Sequence, residues 1–412
     1  MRVGKGLTIF SWSMYDFANT IFAMNVITLY FALWVTVDMK GEDILYSYAL
    51  SGSMLLSALS APILGAISDR LGRRMPFLIM FTIICCVFTA LIGIVNKLVF
   101  GLIFFAVANY CFQIADVFYN SLLPQVSDGK QVGKISGYGT SLGYVGTIVG
   151  LLLVSPFALK WGRQMTFVPT AVFFFIFALP CFLFVKDKKN DLDPRSKMHK
   201  PKKNSLSSVV QTFSKTKRTI VDIKKCPGLL RFLAAIFVAF NAINTIFIFM
   251  SVYTKKVIGF TDQSIITFYI VSSVFAIIGA FFTGFITDKL GPKRTLSWVL
   301  VVWSVTVFLA IISYSKLMFW FIGPVVGISL GATWTSARAL AVSLSPPNMV
   351  GKVFGFYGLV GKTASIIGPL VWGVSVWAFG FLGIIKYRIA VVFLLIFLLL
   401  GLMILQKVPN NK

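Results

Sequence analysis

Runs of about 20 or more apolar residues recur along this chain, and a run of that length dictates the solvent. At about 1.5 Å per residue, a helix built from it crosses the roughly 30 Å hydrocarbon core of a bilayer. Twelve such runs can be read, near residues 9–36, 44–68, 75–96, 99–123, 134–158, 165–185, 230–254, 264–287, 295–314, 317–343, 352–380 and 388–406. Transmembrane strands would be about ten residues long and would alternate polar with apolar positions, which these runs do not do. Only 12% of residues are charged, against about a quarter in soluble domains. The expected fold class is an all-α membrane protein with twelve transmembrane helices. Arg2 and Lys5 precede a first run that is too long for a secretory leader and has no small-residue cleavage site, so it should remain as a signal-anchor helix.

The 38 Lys and Arg against 13 Asp and Glu give a formal net charge of +25. Their distribution points away from nucleic acid. With the spans above, 27 of the basic residues fall in loops on the amino-terminal side, fourteen of them between Lys186 and Arg231, and nine fall on the opposite side. Basic loops stay in the cytoplasm, so both termini are expected there, with the chain in a prokaryotic cytoplasmic (inner) membrane. The excess charge would face anionic lipid headgroups. No histidine lies in any span, and no nucleotide-binding loop or metal-ligand spacing is present, so neither enzyme chemistry, a cofactor, a metal nor ATP-driven export is expected. An ion gradient or facilitated diffusion remains, in a chain expected to act as a monomer. Cys85, Cys86, Cys111, Cys181 and Cys226 show no disulfide or redox spacing and read as packing residues.

Residues 186–229 interrupt the apolar pattern with basic, Ser-containing sequence and the one histidine, His199. Leu206, Val209, Val210 and Phe213 recur there at helical spacing beside Lys215, Lys217 and Arg218, which reads as a surface helix on the inner leaflet. The segment divides the chain into 1–185 and 230–412, and these stretches repeat one another. Gly65-Ala66-Ile67-Ser68-Asp69-Arg70-Leu71-Gly72-Arg73-Arg74 follows span two. Gly284-Phe285-Ile286-Thr287-Asp288-Lys289-Leu290-Gly291-Pro292-Lys293-Arg294 follows span eight, 219 residues later. Gly133-Lys134-Ile135-Ser136-Gly137 opens span five as Gly351-Lys352-Val353-Phe354-Gly355 opens span eleven. Two pseudo-symmetric six-helix bundles related by a parallel repeat place a binding site at their interface.

Within the spans, Asp16 and Asp116 are the acids well inside hydrocarbon, and Arg338 and Lys362 the bases. Each such charge costs at least about 2.5–3.5 kcal/mol, so each should face a cavity and pair. Asn109, Gln113, Asp116 and Asn120 stand at steps of four, three and four, one stripe on span four. Asp16, Asn19 and Thr20 form a stripe on span one, Asn241, Asn244 and Thr245 on span seven, and Trp334 with Arg338 on span ten. Tyr15, Tyr138 and Trp334 are the aromatics expected beside a substrate. Asp16, roughly 10–14 Å into its helix, and Lys362 are expected near the midplane, with Asp16 the coupling carboxylate if Lys362 is its partner. Gly139, Gly143, Gly146 and Gly150 on span five permit close helix approach.

The repeated G-x-x-S-D-R-x-G-R-R loop resembles the signature of the major facilitator superfamily. Tyr15-Asp16-Phe17-Ala18-Asn19-Thr20, Phe118-Tyr119-Asn120-Ser121-Leu122-Leu123-Pro124, Leu142-Gly143-Tyr144-Val145-Gly146 and Gly368-Pro369-Leu370 are similar to its unknown-major-facilitator branch, which includes the autophagy-related vacuolar amino-acid effluxers. This chain lacks their long loop insertions. The resemblance implies the major facilitator fold and transport, with spans one, four, seven and ten lining the central cavity. It also implies a cytoplasmic gate built from Gly65, Asp69, Arg70, Gly72, Arg73, Arg74, Asp288 and Arg294, in which Asp69 meets span eleven and Asp288 meets span five.

The function expected is secondary transport, as symport or antiport, of a small polar or zwitterionic, amino-acid-like solute by alternating access, with a proton as the coupling ion. A lipid or lysolipid transporter on the same fold, and a membrane sensor, are the alternatives the residues leave open. The topology makes a direct prediction. In intact cells, Lys256→Cys should react with an impermeant thiol reagent added outside, and Lys200→Cys should not. Labelling of Lys200→Cys would reverse the assignment.

Overall fold

The computed structural model describes residues 4–127, 132–187, 228–346 and 350–409. The expected surface helix and most of the 186–229 segment lie outside the described residues. Among the described residues, twelve helices are long and apolar enough to cross a membrane. They are α1 Lys5–Asp38, α2 Asp43–Leu71, α3 Met75–Ile92, α4 Leu98–Val126, α5 Val132–Trp161, α6 Phe167–Phe184, α7 Leu229–Lys256, α8 Asp262–Leu290, α9 Pro292–Ile312, α10 Lys316–Ser343, α11 Val350–Ala378 and α12 Ile385–Gln406. An even number of crossings puts the start of α1 and the end of α12 on one side, here called the terminal face; the other is the distal face.

The helix ends follow local chemistry. Thr261 and Ser315 cap α8 and α10 by accepting from the amides of Ser264 and Met318, satisfying donors that a helix start leaves orphaned. Prolines open α3 and α9, where a missing N–H is harmless. The turns before those two helices pass through Gly72 at φ 63° and Gly291 at φ 83°, left-handed conformations that side chains resist. The motif copies keep glycine there because the turn demands it.

The packing repeats as the sequence does. In the first bundle α1 packs on α5 and α6, α4 on α2 and α3, and α3 on α6. In the second, α7 packs on α11 and α12, α10 on α8 and α9, and α9 on α12. Even the distal caps correspond: Gln164 donates to the carbonyls of Ile92 and Val95 at the end of α3, and Arg388 to those of Ile311 and Ser313 at the end of α9. The bundles meet where α2 packs on α11, α5 on α8 and α1 on α7.

The first span is longer than the sequence suggests and is not uniformly α-helical. Ala23–Tyr30 and Trp34–Asp38 are wound as π-helix, whose wider turns shift carbonyls out of the usual ladder. Neighbours use two of them. The Tyr46 hydroxyl of α2 donates to Ile27 O at 2.5 Å, and Ser251 of α7 donates to Thr28 O at 2.9 Å. On the opposite side of α1 the α5 glycines lie flush. A Cβ at Gly146 would collide with the carbonyl oxygen of Phe17 and sit 2.6 Å from Thr20 Oγ1. Thr20 in turn donates to Gly143 O at 2.7 Å. The four described cysteines are unbonded and buried. Overpacking a seam this tight costs about 1–3 kcal/mol. Gly146→Val should therefore lower the thermal midpoint in detergent, whereas Gly137→Ala, which has open space around it, should not.

Candidate functional site

The charges of the spans gather between the bundles. Lys362 of α11 pairs with Asp116 of α4 at 2.8 Å, with side chains 37% and 22% exposed. Its ammonium also lies 3.5 Å from Gln113 O, and Asn120 steadies the carboxylate by donating to Asp116 Oδ1 at 2.9 Å. Asp116 is ten residues from the end of α4, Lys362 twelve and Asp16 eleven from the starts of their helices. At about 1.5 Å per residue the three share one layer, roughly 15–18 Å from the terminal ends. Two expectations change. Lys362 pairs with Asp116 rather than Asp16, because Asp116 reaches the same level on a facing helix. Asp16 is not at the middle of its span, because α1 runs 22 residues beyond it to Asp38.

Asp16 instead turns to the glycine seam. Its Oδ2 would stand 3.1 Å from a Cβ at Gly139, a point also 3.2 Å from the Tyr119 hydroxyl and 3.0 Å from the Trp12 ring. Trp12 stacks on Tyr119 with centroids 4.6 Å apart. Asp16 and Arg338 of α10 are each half-buried. Trp334 packs on Phe240 at 4.9 Å. Asn19 is buried, its Oδ1 without a partner.

Other residues of the predicted stripes are used inside a bundle. Asn109 is fully buried and donates to Ser53 of α2 at 2.8 Å. Asn241 donates to Phe237 O with its carbonyl against Gly368, and Asn244 donates to Ser365 at 2.8 Å. Tyr15, expected beside a substrate, is fully buried against Tyr119 and hydrogen-bonded to Thr82 at 2.7 Å. A polar stripe at helical spacing covers too wide an arc for every member to face one cavity.

At the terminal face, Arg74 donates from its guanidinium to Ser121 O, and the Asp187 carboxylate accepts from the Arg74 and Met75 amides at the start of α3, where a helix favours an anion. Arg73, Asp288 and Arg294 are exposed, Gly65 has open space around it, and the side chains of Asp69 and Arg70 lie outside what the structure describes.

The distal face holds a charge cluster that the sequence alone places only in loops. Arg163, before α6, pairs with Asp38 and, at 2.8 Å, with Asp262 at the start of α8, which also takes Lys255 at 2.5 Å. Asp43, at the start of α2 and 3% exposed, accepts from Trp372 at 3.4 Å and Tyr387 at 3.1 Å and faces Lys256 at 3.8 Å. Asp43 and Asp262 are 219 residues apart, the offset of the motif copies; that offset was the available signal. Between described residues, every hydrogen bond and ion pair joining the bundles lies at the level of Lys362 or nearer the distal face. The distal side is closed.

The Major Facilitator Superfamily model matches residues 13–369 and 263–412. An uncharacterized MFS-type transporter, YxiO of Bacillus subtilis, is 26% identical over 97% of this chain and 94% of its own length. Autophagy-related protein 22 of Vanderwaltozyma polyspora is 25% identical over 81% of this chain and 72% of its own. In fold, the chain is similar to an inward-facing, unoccupied bacterial homologue of the human lysosomal transporter Spinster, with a TM-score of 0.76, 14% identity and 99% coverage of both chains. It is likewise similar to the nucleoside transporter NupG, at a TM-score of 0.72 and 12% identity, with 98% of this chain and 100% of that one covered.

Removing one partner of a buried charge pair leaves the other uncompensated, a cost that water reduces at the more open Asp262, so the distal cluster should hold that face shut. Asp43→Asn and Asp262→Asn should each raise the rate at which a cysteine at Ser51, buried at the α2–α11 contact, reacts with a thiol reagent from the distal side. Rates equal to the parent in both would mean that apolar packing closes the face without the charges.

Proposed function

This chain belongs to the Major Facilitator Superfamily, and on that premise we propose that it is a secondary transporter of a small polar or zwitterionic, amino-acid-like solute, working by alternating access and driven by a proton gradient. The observation that carries the reading is the Lys362–Asp116 pair, because it spans the two bundles, sits deep in the membrane layer and is still reached by solvent. A charge pair in that place is exchangeable: water, a substrate charge or a proton can each replace one partner, whereas hydrocarbon cannot. Rocking the bundles apart on the distal side must rearrange it. The resemblance to vacuolar amino-acid effluxers supports the amino-acid-like substrate.

The pairing favours Asp116 over Asp16 as the coupling carboxylate. A proton on Asp116 would cancel the charge that holds Lys362 and loosen the strut between bundles. The excess of Lys and Arg on the terminal side supports a cytoplasmic terminal face, and the closed distal side would then make this the inward-facing state. Residues 1–185 and 230–412 would move as units joined by 186–229.

The test is transport in proteoliposomes with an imposed pH gradient. Asp116→Asn should still exchange internal for external substrate but no longer concentrate it. Accumulation that keeps the parent's dependence on the gradient would remove Asp116 from the coupling role.

A further inference from the structure

The contacts that close the distal face differ in kind from one edge of the interface to the other. At the α2–α11 edge they are short and buried. Asp43, Ser47 and Ser51, at steps of four, share one face of α2 and are all buried. Ser51 donates to Ile366 O at 2.8 Å. A Cβ at Gly373 would stand 2.5 Å from Ser47 Oγ and 3.0 Å from Ile44 Cα, so the two helices meet backbone to backbone. Above that contact Asp43 accepts from Trp372 and Tyr387.

The α5–α8 edge is built otherwise. Among the described residues, Arg163 and Asp262 join the distal end of α8 to the first bundle, through a guanidinium and a carboxylate rather than through backbone. Asp262 is 24% exposed, and Asp38 and Lys255, which complete the cluster, 34% and 25%. Water competes for pairs of that exposure. The close glycines of these helices turn into their own bundles: Gly143, Gly146 and Gly150 of α5 face α1, and Gly279 of α8 faces α10. A fulcrum needs backbone in contact, whereas side chains that reach across a gap stretch and let go.

We propose that the distal face opens in a fixed order: α8 parts first from the Arg163 turn while α2 and α11 stay seated as the hinge, and that seam parts second. The first outer portal then lies between α5 and α8 and carries Asp38, Arg163, Lys255 and Asp262, two charges of each sign. The reverse order has no pivot, because swinging α2 away from α11 pulls Arg163 off Asp262 at the same time. The order belongs to the fold and not to the solute, so it goes beyond the transport reading and is measured without a substrate.

The experiment measures how fast a thiol reagent, presented to the distal side, reacts with each of two added cysteines in the parent, Asp43→Asn and Asp262→Asn. Ser51→Cys reports the α2–α11 seam. Ile266→Cys reports the α8 edge, since Ile266 is buried one turn below Asp262 on the same face. Asp262→Asn favours the first step, which both cysteines need. Both rates should therefore rise, by about fivefold, the upper end for a partly solvated ion pair. Asp43→Asn favours the second step alone, so Ser51→Cys should react faster while Ile266→Cys keeps the parent's rate. Three other patterns each overturn the order. A rise at both cysteines in both variants would mean one concerted step. A rise confined to the edge that carries the substitution would mean independent edges. A rise at both in Asp43→Asn, but at Ile266→Cys alone in Asp262→Asn, would mean the reverse order. Parent rates throughout would overturn it too, since the charges would not govern the face. The variants without an added cysteine control for damage, because Cys85, Cys86, Cys111 and Cys181 are buried and react if the fold loosens. Should Asp43→Asn fail that control, Tyr387→Phe, which removes one donor from the same seam, takes its place with the same expected pattern.

Discussion

A charge placed in hydrocarbon must find an opposite charge, a polar contact or water, and the organisation of this protein follows from where it meets that demand. Four charges, Asp16, Asp116, Arg338 and Lys362, lie well inside the spans, and none is ion-paired inside its own bundle among the described residues. Asp116 finds Lys362 across the interface, while Asp16 turns to the glycine seam of α5. Away from the distal ends, where Arg163 and Arg388 are buried and bonded within their own bundles, the described interior of each bundle is left to apolar and uncharged polar groups, which make no demand on the relative position of the halves. The electrostatics is therefore concentrated at the one surface that alternating access has to rearrange.

The same concentration appears at the distal face, with repeat symmetry. Asp43 and Asp262 open the second helix of each bundle and reach partners in the other bundle, but in different surroundings. Asp43 is sunk among Trp372, Tyr387 and Lys256, whereas Asp262 sits between Arg163 and Lys255, more open to water. Partly solvated pairs exchange readily with water and buried ones do not. Duplicated geometry with unequal burial gives a closure whose two halves differ in strength.

Tight backbone contact supplies what the charges cannot. The seam between α1 and α5 is close enough that Gly146 admits no side chain, and the π-helical turns of α1 lend carbonyls to α2 and α7. α1 thus touches both bundles through its backbone while turning Asp16 to the glycine seam of α5. A helix fixed in this way holds its carboxylate in place even when no ligand is bound.

Much of this was legible in the residue order. Hydrocarbon thickness sets the length of an apolar run, so twelve spans could be counted, and the 219-residue recurrence of Gly72 in Gly291 reflects a turn that only glycine makes easily. Charges inside apolar runs announce an interior site, and Asp16, Asp116, Arg338 and Lys362 were identifiable on that ground. Their pairing was not. Helical spacing gives the face of a side chain within its own helix, but Asp116 and Lys362 are 246 residues apart, and their contact depends on the depth and rotation of two helices that share no local interaction. For the same reason Asn109, in phase with Asp116, and Asn241, on the polar stripe of span seven, proved to bond within their bundles, and the burial of Asp43 at the distal face went unread. Residue order determines what each segment must hide; only the assembled bundles decide which group hides against which.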